Sequence, residues 1–118
     1  MRKLLYILSI CLLFKVGITK PLTSKIVIAT AYEGSSISCG RWAKHHRTAT
    51  GRIPRRGIVA VDPRVIPLHT RLYVEGYGYA QAEDTGGAIK GNRIDVFIPS
   101  LREARQWGRK RVRIIIIK

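Results

Sequence analysis

Seven acidic residues stand against 22 Lys and Arg in this chain. Three of the seven fall in the segment EDTGGAIKGNRID, Glu83 to Asp95. Asp84 and Asp95 there bracket Gly86, Gly87 and Gly91 together with Lys90 and Arg93. A further aspartate, Asp62, closes the run GIVAV. Paired carboxylates suit acid–base chemistry on a glycosidic bond. A free Asp, with a pKa of ~3.9, is a poor proton donor near neutrality. Burial or a second carboxylate would raise that value, and Lys90 or Arg93 close by would lower it. The glycines allow positive φ and a close backbone approach to a ligand. A purely structural role fits the same residues: Asp62 and Asp84 making turn hydrogen bonds, Asp95 pairing with a cation.

Other chemistries fit less well. A phosphate-cradling loop needs GxxxxGK followed by Ser or Thr; Gly86 and Gly91 have the spacing, but Asn92 follows. An EF-hand needs oxygen ligands at alternating positions, and positions 86 and 88 are Gly and Ala. No HxxxH or CxxC spacing occurs, so no metal site or cofactor is expected. His45 and His46 read as solvated parts of a basic loop, and Cys39 as an incidental thiol without an internal disulfide partner once Cys11 is removed.

The acids must be held by short strands. Lys25–Tyr32, Gly57–Val61, Arg71–Val74, Tyr79–Glu83, Arg93–Ile98 and Arg111–Ile117 are rich in β-branched residues or alternate at period 2, and Gly and Pro mark the turns between them. Residues 33–56 lack a sustained period and read as a long polar, basic loop. In RIDVFI, Ile94, Val96 and Ile98 form the core face, and Arg93, Asp95 and Phe97 the other, where a groove could form. One helix is expected over Leu101–Trp107, with Ser100 and Glu103 as a capping box and Gly108 as the stop. Five or six short strands and one short helix in ~100 residues suggest a small, mainly β barrel closed on itself.

The chain has 118 residues, 46% of them hydrophobic, and a net charge of +15. That favours one packed domain over disorder and an anionic partner or surrounding. Met1-Arg2-Lys3 followed by the apolar run Leu4–Phe14 reads as a signal peptide or N-terminal membrane anchor over residues 1–20, with the globular domain over 21–118. Such a chain is exported, to a periplasm, cell wall or the exterior. Only Arg2, Lys3, Lys15 and Lys20 fall in that segment, so the domain itself is basic. The export-like start and the lack of a recognition-helix pattern weigh against nucleic acid as the partner.

Several stretches resemble the 3D-domain proteins, named for three aspartates: TAY at Thr30–Tyr32, ATG at Ala49–Gly51, the long run from Ile58 to Phe97, EA at Glu103–Ala104 and WG at Trp107–Gly108. DTGGAIKGNRID is also similar to the active-site segment of the lytic transglycosylase A family. The resemblance implies a six-stranded double-psi β-barrel with one short helix. It implies an enzyme that cuts the MurNAc–GlcNAc β-1,4 bond of peptidoglycan glycan strands without water, leaving 1,6-anhydro-MurNAc ends. On that resemblance Asp95 is the catalytic acid/base, Asp84 polarises or positions it, and Asp62 supports the site at the barrel rim. Thr30, Tyr32, Lys90, Gly86 and Gly87 are implied as substrate contacts. The alternative is a wall-glycan-binding module without turnover, with Trp42, Tyr77 and Tyr79 as aromatic candidates. Two departures stand out: His69 occupies a position where the family usually has Gly, and the basic loop Cys39–Arg47 has no clear counterpart.

Overall fold

The computed structural model describes residues 22–34 and 47–118. The expected N-terminal targeting segment, Trp42, Cys39, His45 and His46 lie outside the described residues. Six strands close into a barrel: β1 (Thr23–Tyr32), β2 (Ile58–Ala60), β3 (Arg71–Val74), β4 (Gly78–Asp84), β5 (Arg93–Phe97) and β6 (Lys110–Ile116), with helix α1 (Leu101–Trp107) between β5 and β6. Around the barrel the order is β1-β5-β2-β4-β3-β6. The pairs β1/β5 and β2/β4 are parallel and the other neighbours antiparallel. This is the expected mainly β, six-stranded double-psi barrel.

Alternation along each strand builds the core. Val27 and Ala29 of β1, Val59 of β2, Leu72 and Val74 of β3, Ala80 and Ala82 of β4, Ile94 and Val96 of β5, and Val112 and Ile114 of β6 form one buried cluster. Period 2 then sends Thr30, Ala60, Arg71, Gln81 and Asp95 to the outer face. Among the described strands, closure leaves each one with a neighbour on both sides.

The strand limits move by a residue or two from those expected. GIVAV yields only Ile58–Ala60 as strand, because the chain turns at Asp62. The helix matches its sequence signals: the Ser100 side chain accepts from the Glu103 N–H, and Gly108, at φ 65°, donates back to the Ala104 carbonyl. Ala104 is the buried contact of α1, and Trp107 packs edge-on to Tyr77 at 6.1 Å.

Candidate active site

Strand register brings the sequence-predicted acids together. Thr30 of β1 lies opposite Asp95 of β5, Asp95 opposite Ala60 of β2, and Ala60 opposite Asp84 of β4. The four residues form one row across four adjacent strands. The two aspartates flank a residue that carries only a methyl group, so the floor between them is low. Strands lie about 4.8 Å apart, which sets the two acid backbones about 10 Å apart.

A slip in register puts Asp84 in that row. Val59 pairs with Ala82, yet Ala60 pairs with Asp84, so Glu83 is an extra residue in β4. Without the slip Asp84 would lie two residues from Ala82 and share its core-facing side. With it, Asp84 takes the opposite face, beside Ala60. Bulges commonly re-aim a side chain in this way.

Each acid has its own surroundings. Asp95 is half-buried and accepts a 3.0 Å hydrogen bond from the Thr30 hydroxyl. Burial pushes its carboxyl up; the Thr30 bond and the Arg93 charge oppose this, the Asp84 charge adds to it, and the net direction is upward. Asp84 is buried and accepts from the Tyr32 hydroxyl (3.1 Å), the Ala49 N–H (3.0 Å) and the Thr85 N–H (2.9 Å). Burial, and then the Asp84 charge, raise the Tyr32 phenol, which keeps its proton and serves as a donor. The Tyr32 ring is fixed edge-on to Phe97 at 5.2 Å.

These opposing influences make Thr30 a tuning residue. In Thr30→Val the carboxylate of Asp95 loses a donor to its charged form, so its pKa rises further. If protonated Asp95 is the acid, the decline of activity at high pH moves to higher pH in the variant. A pH–rate profile checks this; an unmoved or lowered limb contradicts it.

Asp62 stands apart from the row, held by its own turn and by the loop that carries Gly91. Its carboxylate accepts from the Arg64 N–H (3.1 Å), from Arg64 Nε and Nη2 (3.1 and 2.9 Å), and from the Gly91 N–H (2.9 Å). It thus joins its own turn to the loop ahead of Asp95. The Arg64 side chain first, then the Gly91 and Arg64 amides, hold the Asp62 carboxyl well below the usual range. A depressed folded-state pKa contributes stability above the unfolded value, about 4, and loses it as pH falls below that. Thermal melts of Asp62→Asn should therefore show a lower Tm than wild type at neutral pH and a smaller gap in acid. An equal gap at both pH values would contradict this account.

The three loop glycines serve different purposes. Only Gly91 of the three has a positive φ, 68°. Gly86 is small for another reason: a Cβ there would sit 3.0 Å from Ile89 Cγ1, and Ile89 is buried beneath the loop. Nothing lies within 4 Å of a Cβ at Gly87, which leaves that stretch of loop open to approach. Lys90 is exposed on the same loop. Tyr77, an aromatic candidate for stacking, has its hydroxyl committed: it accepts from the Gly57 N–H and donates to the Phe97 carbonyl, both at 2.7 Å. Tyr79 remains exposed.

Sequence reasoning missed a clamp behind the row. Glu83 is buried, with its carboxylate 2.5 Å from the Thr50 hydroxyl, 3.3 Å from His69 Nδ1 and 3.5 Å from Arg52 Nε. Burial pushes Glu83 up, but Thr50, His69 and the Arg52 charge together hold it below its ordinary value. Thr50 adjoins Ala49, whose N–H holds Asp84, so the clamp fixes a donor of the site. His69 adopts φ 73°, the left-handed region, which explains why Gly suits this position. A non-Gly residue there costs about 1–2 kcal/mol, and the contact with Glu83 offsets part of it. The available signal was a lone His at a turn followed at distance by a carboxylate inside an apolar strand.

The closed barrel is similar in fold to that of the E. coli lytic transglycosylase MltA. The crystal structure of E. coli MltA with bound chitohexaose superimposes with a TM-score of 0.51 at 25% identity, over 62% of this chain and 27% of that one. The chain belongs to the 3D domain family, which matches residues 57–118. YabE of Bacillus subtilis (strain 168), named for cell wall shaping, is 50% identical over 95 residues, 77% of this chain and 22% of that protein. The cell wall-binding protein YocH of the same organism is 55% identical over 74 residues, 59% of this chain and 26% of that protein. This chain thus spans about a quarter of the length of either relative.

Proposed function

We propose that the chain is an exported lytic transglycosylase that cleaves the MurNAc–GlcNAc β-1,4 bond of peptidoglycan, with Asp95 as a single acid/base. The observation that carries this reading is the half-buried Asp95, raised in pKa, in one row with Asp84 across the low floor of Ala60. Protonated Asp95 gives its proton to the glycosidic oxygen as the C1–O bond breaks. The C6 hydroxyl of the same MurNAc then attacks C1, and its proton passes to the Asp95 carboxylate. The 1,6-anhydro bond replaces the bond lost, no water is consumed, and Asp95 ends protonated. One group serves twice because an internal hydroxyl, held close to C1, replaces an external nucleophile.

Asp84, fixed by Tyr32, Ala49 and Thr85, lies on the side of Ala60 away from Asp95 and supplies negative charge to the positive character that develops at C1. Thr30, Tyr32, Lys90, Gly86 and Gly87 border the path of the glycan. Asp62 holds the loop that carries the last three of these. MltA has been solved with bound chitohexaose, a hexasaccharide, which supports a glycan ligand for this barrel. The basic surface would hold the chain to anionic wall material.

The name of YocH favours a second reading, binding to the wall without turnover. Release of soluble fragments from purified peptidoglycan by the full chain separates the two. Release supports the enzyme; a folded chain that sediments with the wall and releases nothing supports the binder.

A further inference from the structure

A pocket of about 490 Å3 opens on the outer face of β3 and β4 and shares no lining residue with the acid row. Arg55, Arg56, Arg71, Tyr79, Gln81 and Ile117 surround it. Register explains the gathering. Arg71 of β3 lies opposite Gln81 of β4, and Gln81 opposite Ile58 of β2. Ile58 is two residues before Ala60, so this second row runs beside the acid row, about 7 Å away along β2.

The cations differ in commitment. Arg56 Nη2 pairs with Glu103 at 3.3 Å, and its guanidinium lies 5.3 Å from the centre of the Tyr77 ring, so it forms a wall whose charge is already partnered. Among the described residues, Arg55 and Arg71 have no acidic partner. The backbone of Arg71 is fixed on both sides: its N–H donates to the Lys118 carbonyl, and its carbonyl accepts from Ile117. Two uncommitted guanidiniums beside a third, with an exposed tyrosine ring at the mouth, suit a ligand that is both anionic and hydroxylated. Guanidinium forks match phosphate geometry, and the tyrosine face can pack against the carbon skeleton of a polyol. Leu72 and Ala80 form only the floor, as core residues.

We propose that this pocket binds the phosphodiester groups of an anionic polyol-phosphate wall polymer, independently of glycan cleavage. The proposal shares only its wall setting with the function above, and its test does not read cleavage.

The probe is poly(glycerol phosphate), titrated calorimetrically into the full chain at low and moderate salt. The double variant Arg55→Gln/Arg71→Gln is compared with the charge-matched pair Arg102→Gln/Arg105→Gln on the exposed side of α1. The expected result is about a tenfold or greater loss of affinity in the pocket variant and about twofold in the helix variant, since only the first removes directed phosphate contacts. Asp95→Asn should bind as wild type does. All substitutions are at exposed or half-buried positions, and thermal melts check that each variant folds. Equal losses in the two double variants would overturn the proposal by reducing binding to general charge. So would a wild-type chain that ignores the polymer, or one that needs the same two arginines for anionic lipid vesicles but not for the polymer.

Discussion

Asp95→Asn is expected to lower the rate of glycan cleavage by about 10²–10⁴-fold, the range lost when a positioned acid/base is removed, while leaving glycan binding in place. The amide keeps the shape of the side chain and an oxygen that accepts from Thr30. It cannot give or take the proton. Stability should move the other way. A carboxyl whose folded-state pKa is raised costs stability once it is charged, above that pKa, and the cost vanishes as pH falls below the unfolded value. Asp95 is raised mainly by burial, so the neutral amide should leave the Tm at pH 7 unchanged or higher. Lower activity in a protein at least as stable as wild type is the signature of a site residue bought at some cost in stability. A variant that cuts normally, or one inactive only because it unfolds, would contradict the assignment.

Glu83→Ala has the second large expected effect, and it acts at a distance from the chemistry. The substitution removes the common acceptor of Thr50, His69 and Arg52. It leaves a cavity, and the Thr50 hydroxyl keeps only its 3.2 Å bonds to the backbone carbonyl of residue 83 and to the Thr48 hydroxyl. Loss of such a buried acceptor costs about 1–3 kcal/mol, several degrees of Tm in a domain of this size. The segment carrying Ala49 then keeps only its bonds to the backbone carbonyl of residue 83, and the Ala49 N–H holds Asp84 less firmly. Cleavage should fall even at temperatures where the variant is fully folded. Glu83→Gln retains an oxygen for Thr50 and should recover part of both losses. Melting curves and initial rates of the two variants check this. An alanine variant as stable and as active as wild type would remove the clamp from the account.

Much of this site is legible in the residues. Alternation in RIDVFI places Ile94 and Val96 in the core and Asp95 on the outer face, as found. The capping signals at Ser100, Glu103 and Gly108 fix the helix to the residue. Asp84 is different. Period 2 through YAQAED would put it on the same face as Ala82, inside the barrel. Only the extra residue at Glu83 turns it toward Asp95, and no local pattern announces a bulge that depends on how β2 pairs with β4. Glu83 was hidden for the same reason: its partners Thr50 and His69 come from segments far along the chain. The glycines show a further limit. Three in one loop allow positive φ or a close approach without saying which applies where: packing against Ile89 explains Gly86, and backbone geometry explains Gly91. His69 is the reverse case, a left-handed position filled by a side chain that also reaches Glu83. The pocket beside β3 was illegible because Arg55 and Arg71 meet only when β3 and β4 close against β2.

The chemical nature of the new glycan end decides whether Asp95 works as a single acid/base. Purified peptidoglycan is incubated with the full chain, and the released muropeptides are weighed by mass spectrometry beside an Asp95→Asn control. The wild type should make 1,6-anhydro-MurNAc ends, one water lighter than reducing ends, and the control should make none. Reducing ends would assign the cut to an attacking water, and anhydro ends made equally by both proteins would take Asp95 out of the reaction.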